Sequence, residues 1–380
     1  MPDVEKNRRK PNHRALIIAR WPVGGINTYL RYVYGNSTFD DYQFDILVPD
    51  IDDVDVLKRE LVSCNIIVSK GGVKEFYINV VKHILFGKYD FVHSHGFTAG
   101  LVSAIPSKLV FVKHFITAHE VFTRAQFIGR FGRIKQSLVG WLLSLADVLQ
   151  PVSEGAKENI VEYLPVLRKR HGCKLEVILN GIDSKRFLVG STRDLHSELG
   201  LSDDVFLIGF MGRFMSAKGF KYLVLALQKI LENPALVGRV KLVAIGSGGF
   251  IREDTQWVKD IGLADDVFFL PKTTEVAETL RGFDVLVVPS LWEACGLLAM
   301  EALVTGIPVI GSNCNGLQEV LEGTPATSVP PKDVHALAEA IHSYIDLDQT
   351  SKFVEYAPIA ANRFDVGRVA LKLRELYERK

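Results

Sequence analysis

Glu293 and Glu301 stand eight positions apart in the stretch Pro-Ser-Leu-Trp-Glu-Ala-Cys-Gly-Leu-Leu-Ala-Met-Glu, residues 289–301. A carboxylate accepts hydrogen bonds through several lone pairs, which suits it to holding hydroxyl groups. The apolar run 285–288 stops at Pro289 and a helix-like pattern resumes at Leu297, so a short loop carries Glu293 and Gly296. At such a strand–loop–helix turn the first helical N–H groups are unpaired and favour an anion. The backbone of Gly296, Leu297 and Leu298 is therefore a candidate phosphate cradle. A second stretch, Gly-Phe-Met-Gly-Arg-Phe-Met-Ser-Ala-Lys-Gly at 209–219, repeats the layout and adds two cations, Arg213 and Lys218. Arg forks onto two oxygens, while Lys acts as a movable point charge. Preplaced cations stabilise a departing diphosphate most as its bond breaks. Two carboxylates for hydroxyls and two cations for a diphosphate imply a site for a nucleotide sugar.

These residues resemble the signature of glycosyltransferase family 4. The paired glutamates are followed by Gly306-Ile307-Pro308-Val309-Ile310, and the Gly-Arg-(four residues)-Lys-Gly run at 212–219 is similar to that family's diphosphate-binding segment. The resemblance implies an α/β chain with the GT-B fold, two Rossmann-like doubly wound domains facing across a cleft. It also implies a retaining, metal-independent transferase. On that basis Glu301 is expected to accept from ribose hydroxyls and Glu293 to hold hydroxyls of the donor sugar. His119, in Ile-Thr-Ala-His-Glu at 116–120, matches a family histidine that contacts the donor sugar near the reacting carbon. His119, Arg213, Lys218 and Glu293 form the expected catalytic set. Gly24-Gly25 falls between the first strand and the first helix, where glycine permits close backbone approach to the donor. Asn315-Gly316 stands where relatives have a glycine pair; asparagine tolerates left-handed backbone, so the turn is expected to survive.

Arg20, His95 and Arg124 are candidates for the acceptor side. His93 and His95 lie two apart and so share one face of a strand; no nearby carboxylate or cysteine completes a metal site. Asp53-Val54-Asp55 mimics a metal-binding acidic motif, but its position at a helix start makes capping the better account. Between residues 124 and 135, Arg124, Arg130, Arg133 and Lys135 mix with Phe127 and Phe131, and Phe122 and Trp141 lie nearby. That mixture fits either a solvated helix face over packed apolar residues or a patch meeting anionic lipid or a lipid-linked diphosphate.

The chain of 380 residues is long for one core, so two domains are expected. The first is placed at 1–185, joined by the last helix at 364–380, and the second at 186–363. Net charge is +1, yet residues 1–185 hold 25 Lys and Arg against 19 Asp and Glu, and the remainder 20 against 25. The basic first half suits an anionic acceptor or membrane surface. No known motif supports nucleic-acid binding. The polar start at 1–10 lacks an apolar core for a signal peptide and reads as a frayed basic tail. Four cysteines without metal-type spacing fit reduced thiols, hence a cytoplasmic location, with peripheral contact at the inner membrane face left open.

Strands are expected at 14–19, 44–48, 66–69, 90–94, 110–118, 146–152 and 175–179, with helices at 26–34, 54–62, 73–86 and 127–145 between them. A second alternation follows, with strands at 205–211, 241–245, 267–270, 285–288 and 308–310 and helices at 333–344 and 366–377. Such alternation builds parallel sheets covered on both faces.

The expected activity is transfer of a hexosyl unit from a nucleotide sugar, UDP- or GDP-linked, to an acceptor hydroxyl of a sugar or lipid-linked glycan. No separate cofactor and no metal is expected. A sugar-nucleotide epimerase or phosphorylase of the same fold, and a non-catalytic nucleotide-sugar-binding module, stay as alternatives.

Overall fold

The computed structural model describes residues 13–51, 54–168 and 173–379; the tail at 1–10 and Asp53 lie outside them. The chain divides into two compact units, one running to Gly181 and resuming at Val366, the other Ile182–Asp365.

In the first unit, seven strands form one parallel sheet: β1 (His13–Ala19), β2 (Tyr42–Pro49), β3 (Asn65–Ser69), β4 (Phe91–His95), β5 (Lys113–Ala118), β6 (Val148–Pro151) and β7 (Lys174–Leu175). Their spatial order is β3-β2-β1-β4-β5-β6-β7. Side chains alternate across the sheet, and both sets are apolar. Ala15, Ile17 and Ala19 pack with Tyr29, Leu30 and Val33 of the helix Gly25–Tyr34 and with Val369 and Leu373 of the C-terminal helix Val366–Glu378. Leu16 and Ile18 face the other way, onto Phe76, Val80 and Ile84 of the helix Val73–Phe86. Burial on both faces is why these strands read as continuous apolar runs. Leu373, wholly buried, contributes about 1.5–3 kcal/mol relative to exposure, one reason the last helix belongs to the first unit.

The second unit carries β8 (Phe206–Arg213), β9 (Val240–Ser247), β10 (Val267–Pro271), β11 (Val285–Val288), β12 (Val309–Ser312) and β13 (Thr327–Val329). This parallel sheet has the order β10-β9-β8-β11-β12-β13. In each unit the strand order reverses once, between β1 and β4 and between β8 and β11. Ligands of doubly wound sheets settle at the carboxyl ends of the strands flanking that reversal.

Several elements differ from expectation. The strand expected at 110–118 begins only at Lys113, because residues 110–112 form the turn that ends the helix Phe97–Leu109, with Phe111 at φ +56°. That helix presents buried side chains in most directions and so shows no apolar stripe. The strand expected at 175–179 shrinks to Lys174–Leu175, and the helix expected at 127–145 narrows to Gly132–Leu143. The strand expected to stop at Met211 runs on to Arg213, placing that cation on the strand end itself. Neither β13 nor the helix Thr350–Arg363 was signalled by periodicity.

Candidate active site

At the carboxyl end of β8 the chain turns sharply at 216–219. Gly219 holds φ +69°, and a Cβ there would lie 1.9 Å from the Pro289 carbonyl oxygen, so only glycine lets the turn pass against the end of β11. The Leu291 N–H donates to the Ala217 carbonyl at 2.7 Å. These two contacts fix the turn to the loop after β11. Lys218 Nζ is thereby brought to donate to Glu293 Oε1 at 2.6 Å, and Ser290 Oγ donates to the same oxygen at 2.8 Å. The two side chains are partly covered, 30% and 12% exposed. Glu293 Oε2 has no partner among the described residues, so one carboxylate oxygen is held and the other is open to a hydroxyl.

Arg213 is exposed and has no charge partner among the described residues. Its guanidinium is a free cation at the strand end. The helix Leu297–Thr305 opens at Gly296 with no acidic residue in its first turn and no capping side chain. Leu297 N–H donates to the Cys295 carbonyl at 2.9 Å, whereas Leu298 in the first turn has no intrahelical acceptor. Glu301 sits one turn in, 9% exposed, and makes contacts within the fold. Glu293 N–H donates to the Asn315 carbonyl at 3.2 Å. In that facing loop the left-handed residue is Gly316, φ +79°, and not Asn315.

The first unit gathers a different set. Gly24 has φ +55° and open space around it, and Gly25 begins the first helix. His95 ends β4, His119 follows β5, and their rings meet: His95 Nδ1 lies 2.9 Å from His119 Nε2. Burial pushes the His119 pKa down to about 3 and His95 well below its ordinary value, so both rings are neutral near pH 7. His93 and His95 both reach the Tyr34 hydroxyl. Among the described residues, no group of three or more His, Cys, Asp or Glu is placed to hold a metal ion.

Arg20 stacks over Trp21, with its guanidinium carbon 4.9 Å from the ring centre, and over Tyr77 at 5.6 Å. Glu120 is a site residue the sequence did not mark. Burial raises its pKa and Arg20 lowers it, and its carboxylate oxygen lies 2.8 Å from where a Cβ on Gly96 would be. Arg124 lies in the short turn Arg124–Phe127, exposed, and no contact links it to His95 or His119. Ser153 caps the helix Glu154–Tyr163, its hydroxyl oxygen accepting from the Ala156 N–H at 2.9 Å.

The cation-rich segment has an apolar outer face. Phe122 is buried, but Ile128, Phe131, Ile134, Leu138 and Trp141 are 44–77% exposed, beside the exposed Arg124, Arg130, Arg133 and Lys135. Residues 124–141 include no acid. The helix Phe97–Leu109 packs against Gly132–Leu143 and exposes Ile105 and Leu109 in turn. No described helix is long and apolar enough to cross a membrane.

Two family models match the chain in sequence: "Glycosyltransferase Family 4" over residues 23–186 and "Glycosyl transferases group 1" over 191–359. Among curated proteins, a D-inositol 3-phosphate glycosyltransferase of Corynebacterium urealyticum is 28% identical over 305 residues, 76% of this chain and 71% of that protein. One of the same name from Geodermatophilus obscurus is 30% identical over 273 residues, 68% of this chain and 60% of that protein. Among solved structures, Anabaena HepE in complex with UDP-glucose superposes with a TM-score of 0.80 at 20% identity, covering 96% of this chain and 99% of its own. WaaG, a glycosyltransferase involved in lipopolysaccharide biosynthesis, gives 0.74 at 16% identity, covering 97% and 100%. At those identities the structural likeness speaks for the fold, which is GT-B.

Proposed function

Taking the chain as a GT-B glycosyltransferase of the family 4 type, we propose that it transfers a hexosyl unit from a UDP- or GDP-linked donor to an acceptor hydroxyl, with retention and without metal. The observation that carries this reading is the Lys218–Glu293 pair at 2.6 Å, together with an Arg213 that has no charge partner among the described residues and the uncapped start of the helix Leu297–Thr305. Arg213 and Lys218 meet the diphosphate, and the first-turn amide of Leu298 adds a donor. The open oxygen of Glu293 accepts from the sugar, and Glu301 accepts from the ribose. Gly24 and Gly25 let backbone approach the donor, and His119 binds a sugar hydroxyl.

In the transfer step the C1–O bond to the phosphate breaks and a bond from the acceptor oxygen to C1 forms on the same face. The acceptor's proton passes to the departing diphosphate oxygen, so no side chain serves as nucleophile. Arg213 and Lys218 stabilise the charge that grows on the leaving group. HepE's bound UDP-glucose supports a nucleotide-sugar donor.

For the acceptor, an anionic group fits the basic first half, and the curated relatives are named for an inositol phosphate. A lipid-linked glycan in surface polysaccharide or glycolipid synthesis is favoured by the exposed apolar side chains of Gly132–Leu143 and their acid-free cationic border. Arg20 and Arg124 remain its proposed contacts, at the cytoplasmic membrane face; His95, buried with both ring nitrogens engaged by Tyr34 and His119, acts only through His119. Incubation with labelled nucleotide sugars, with and without acceptors, tests the whole. Nucleoside diphosphate release that depends on acceptor is expected; binding without turnover across a broad acceptor panel sinks the transferase reading. Glu301→Ala should lose donor affinity.

A further inference from the structure

The histidine pair at the end of β4 and β5 belongs to a longer chain of side chains whose proton positions are determined from its inner end. Gln150 Nε2 donates to the carbonyls of Ile178 at 3.0 Å and Pro151 at 3.3 Å. Both amide protons are spent, so Gln150 Oε1 is an acceptor, and the Thr117 hydroxyl donates to it at 2.5 Å. A hydroxyl has one proton, so Thr117 Oγ1 must receive at its other contact, His93 Nε2, 2.7 Å away. Burial keeps His93 neutral. Its proton is therefore on Nε2, and its bare Nδ1 accepts from the Tyr377 hydroxyl at 2.5 Å.

The Tyr34 hydroxyl lies 2.8 Å from His95 Nε2 and 3.3 Å from the Tyr377 oxygen. Were Tyr34 to donate to His95, the Tyr34–Tyr377 contact would contain no proton, since Tyr377 has already given its own to His93. With His95 donating to Tyr34 instead, the Tyr34 proton goes to Tyr377, and the 3.1 Å approach of the Tyr34 oxygen to His93 Nδ1 is the one contact left without a proton, against two in the other order. Six then run head to tail, from His119 through His95, Tyr34, Tyr377, His93 and Thr117 to Gln150, each polarising the next. We propose that this order fixes the proton of His119 on Nε2 and leaves Nδ1 as a bare acceptor for a substrate hydroxyl. His119 Nδ1 has no partner among the described residues, and the ring is partly exposed.

His95 and Tyr34 are then positioning residues, and His119 accepts from the sugar hydroxyl. Only that last step rests on the sugar contact assigned to His119 above. A substrate lacking the hydroxyl it reads should be discriminated against.

The test is a long-range proton–nitrogen spectrum of the full chain labelled with 15N-histidine. His119 is expected to show a protonated Nε2 and an unprotonated Nδ1. Tyr34→Phe removes the acceptor of the His95 proton, so the pair should reverse and place the His119 proton on Nδ1. The same variant should lower kcat/KM about tenfold, one hydrogen bond's worth, and add nothing on top of His119→Ala. A native spectrum with the His119 proton on Nδ1 overturns the proposal, and it needs no variant to fold. The native order followed by no reversal in a folded Tyr34→Phe chain also overturns it. If the order and its reversal are seen while His119→Ala leaves kcat and KM unchanged, the proton order stands and the sugar contact falls.

Discussion

Lys218 Nζ and Glu293 Oε1 are 2.6 Å apart although 75 residues separate them in the chain. The cation assigned to the diphosphate and the carboxylate assigned to the sugar are thus already paired. A phosphate arriving beside them shares Lys218 with Glu293, and the Ser290 hydroxyl keeps the carboxylate in place.

Lys218→Ala and Glu293→Gln should each lower kcat/KM about a hundredfold, near 2.7 kcal/mol of transition-state stabilisation. A partly exposed pair adds little to folding, at most about 1 kcal/mol. Kinetics alongside urea unfolding checks this. Equal losses of stability and activity would mean that the pair is structural.

Arg213 makes no ion pair among the described residues, so Arg213→Ala should shift stability by no more than about 0.5 kcal/mol. Its loss should nevertheless weaken UDP or GDP binding, with Arg213→Lys intermediate because the planar fork is gone. Ligand-dependent melting shifts measure both. An unaltered shift in Arg213→Ala removes this residue from the diphosphate site.

Vesicles containing phosphatidylserine should co-sediment the native chain, and phosphatidylcholine alone should not. Ile134→Glu with Leu138→Glu should abolish the binding, since each buried apolar side chain is worth about 1.5–3 kcal/mol. Transfer to a water-soluble acceptor should persist. Sedimentation unaffected by the double substitution would discard this face as the membrane seat.

Acid should destabilise the first unit before its carboxylates titrate. His114 and His119 are held down to about 3, and His93 and His95 well below 6.5, all by burial. The unfolded chain takes up these protons near 6.5 while the folded chain refuses them. Stability is therefore complete above pH 6.5 and falls below it, by up to about 1.4 kcal/mol per pH unit for each histidine. Urea midpoints at a series of pH values between 7 and 5 test it, and a flat profile would show that these rings are charged in the native state.

The strand-and-helix alternation and the two segments at 209–219 and 289–301 were legible from sequence, because burial on both sheet faces leaves continuous apolar strands and glycine marks the turns. Period-two spacing likewise placed His93 and His95 on one strand face. Sequence could not show that Tyr34 and Tyr377, 343 positions apart, close on that face, because the pairing depends on the C-terminal helix packing over β1. Nor did it give the Lys218–Glu293 pair, which exists because Gly219 fits beneath the Pro289 carbonyl. The outward apolar face of Gly132–Leu143 was hidden for a related reason: periodicity finds a stripe, and only packing decides which side of the helix is covered. Local preference selects elements, whereas contacts distant in sequence decide which side chains share a proton or a charge.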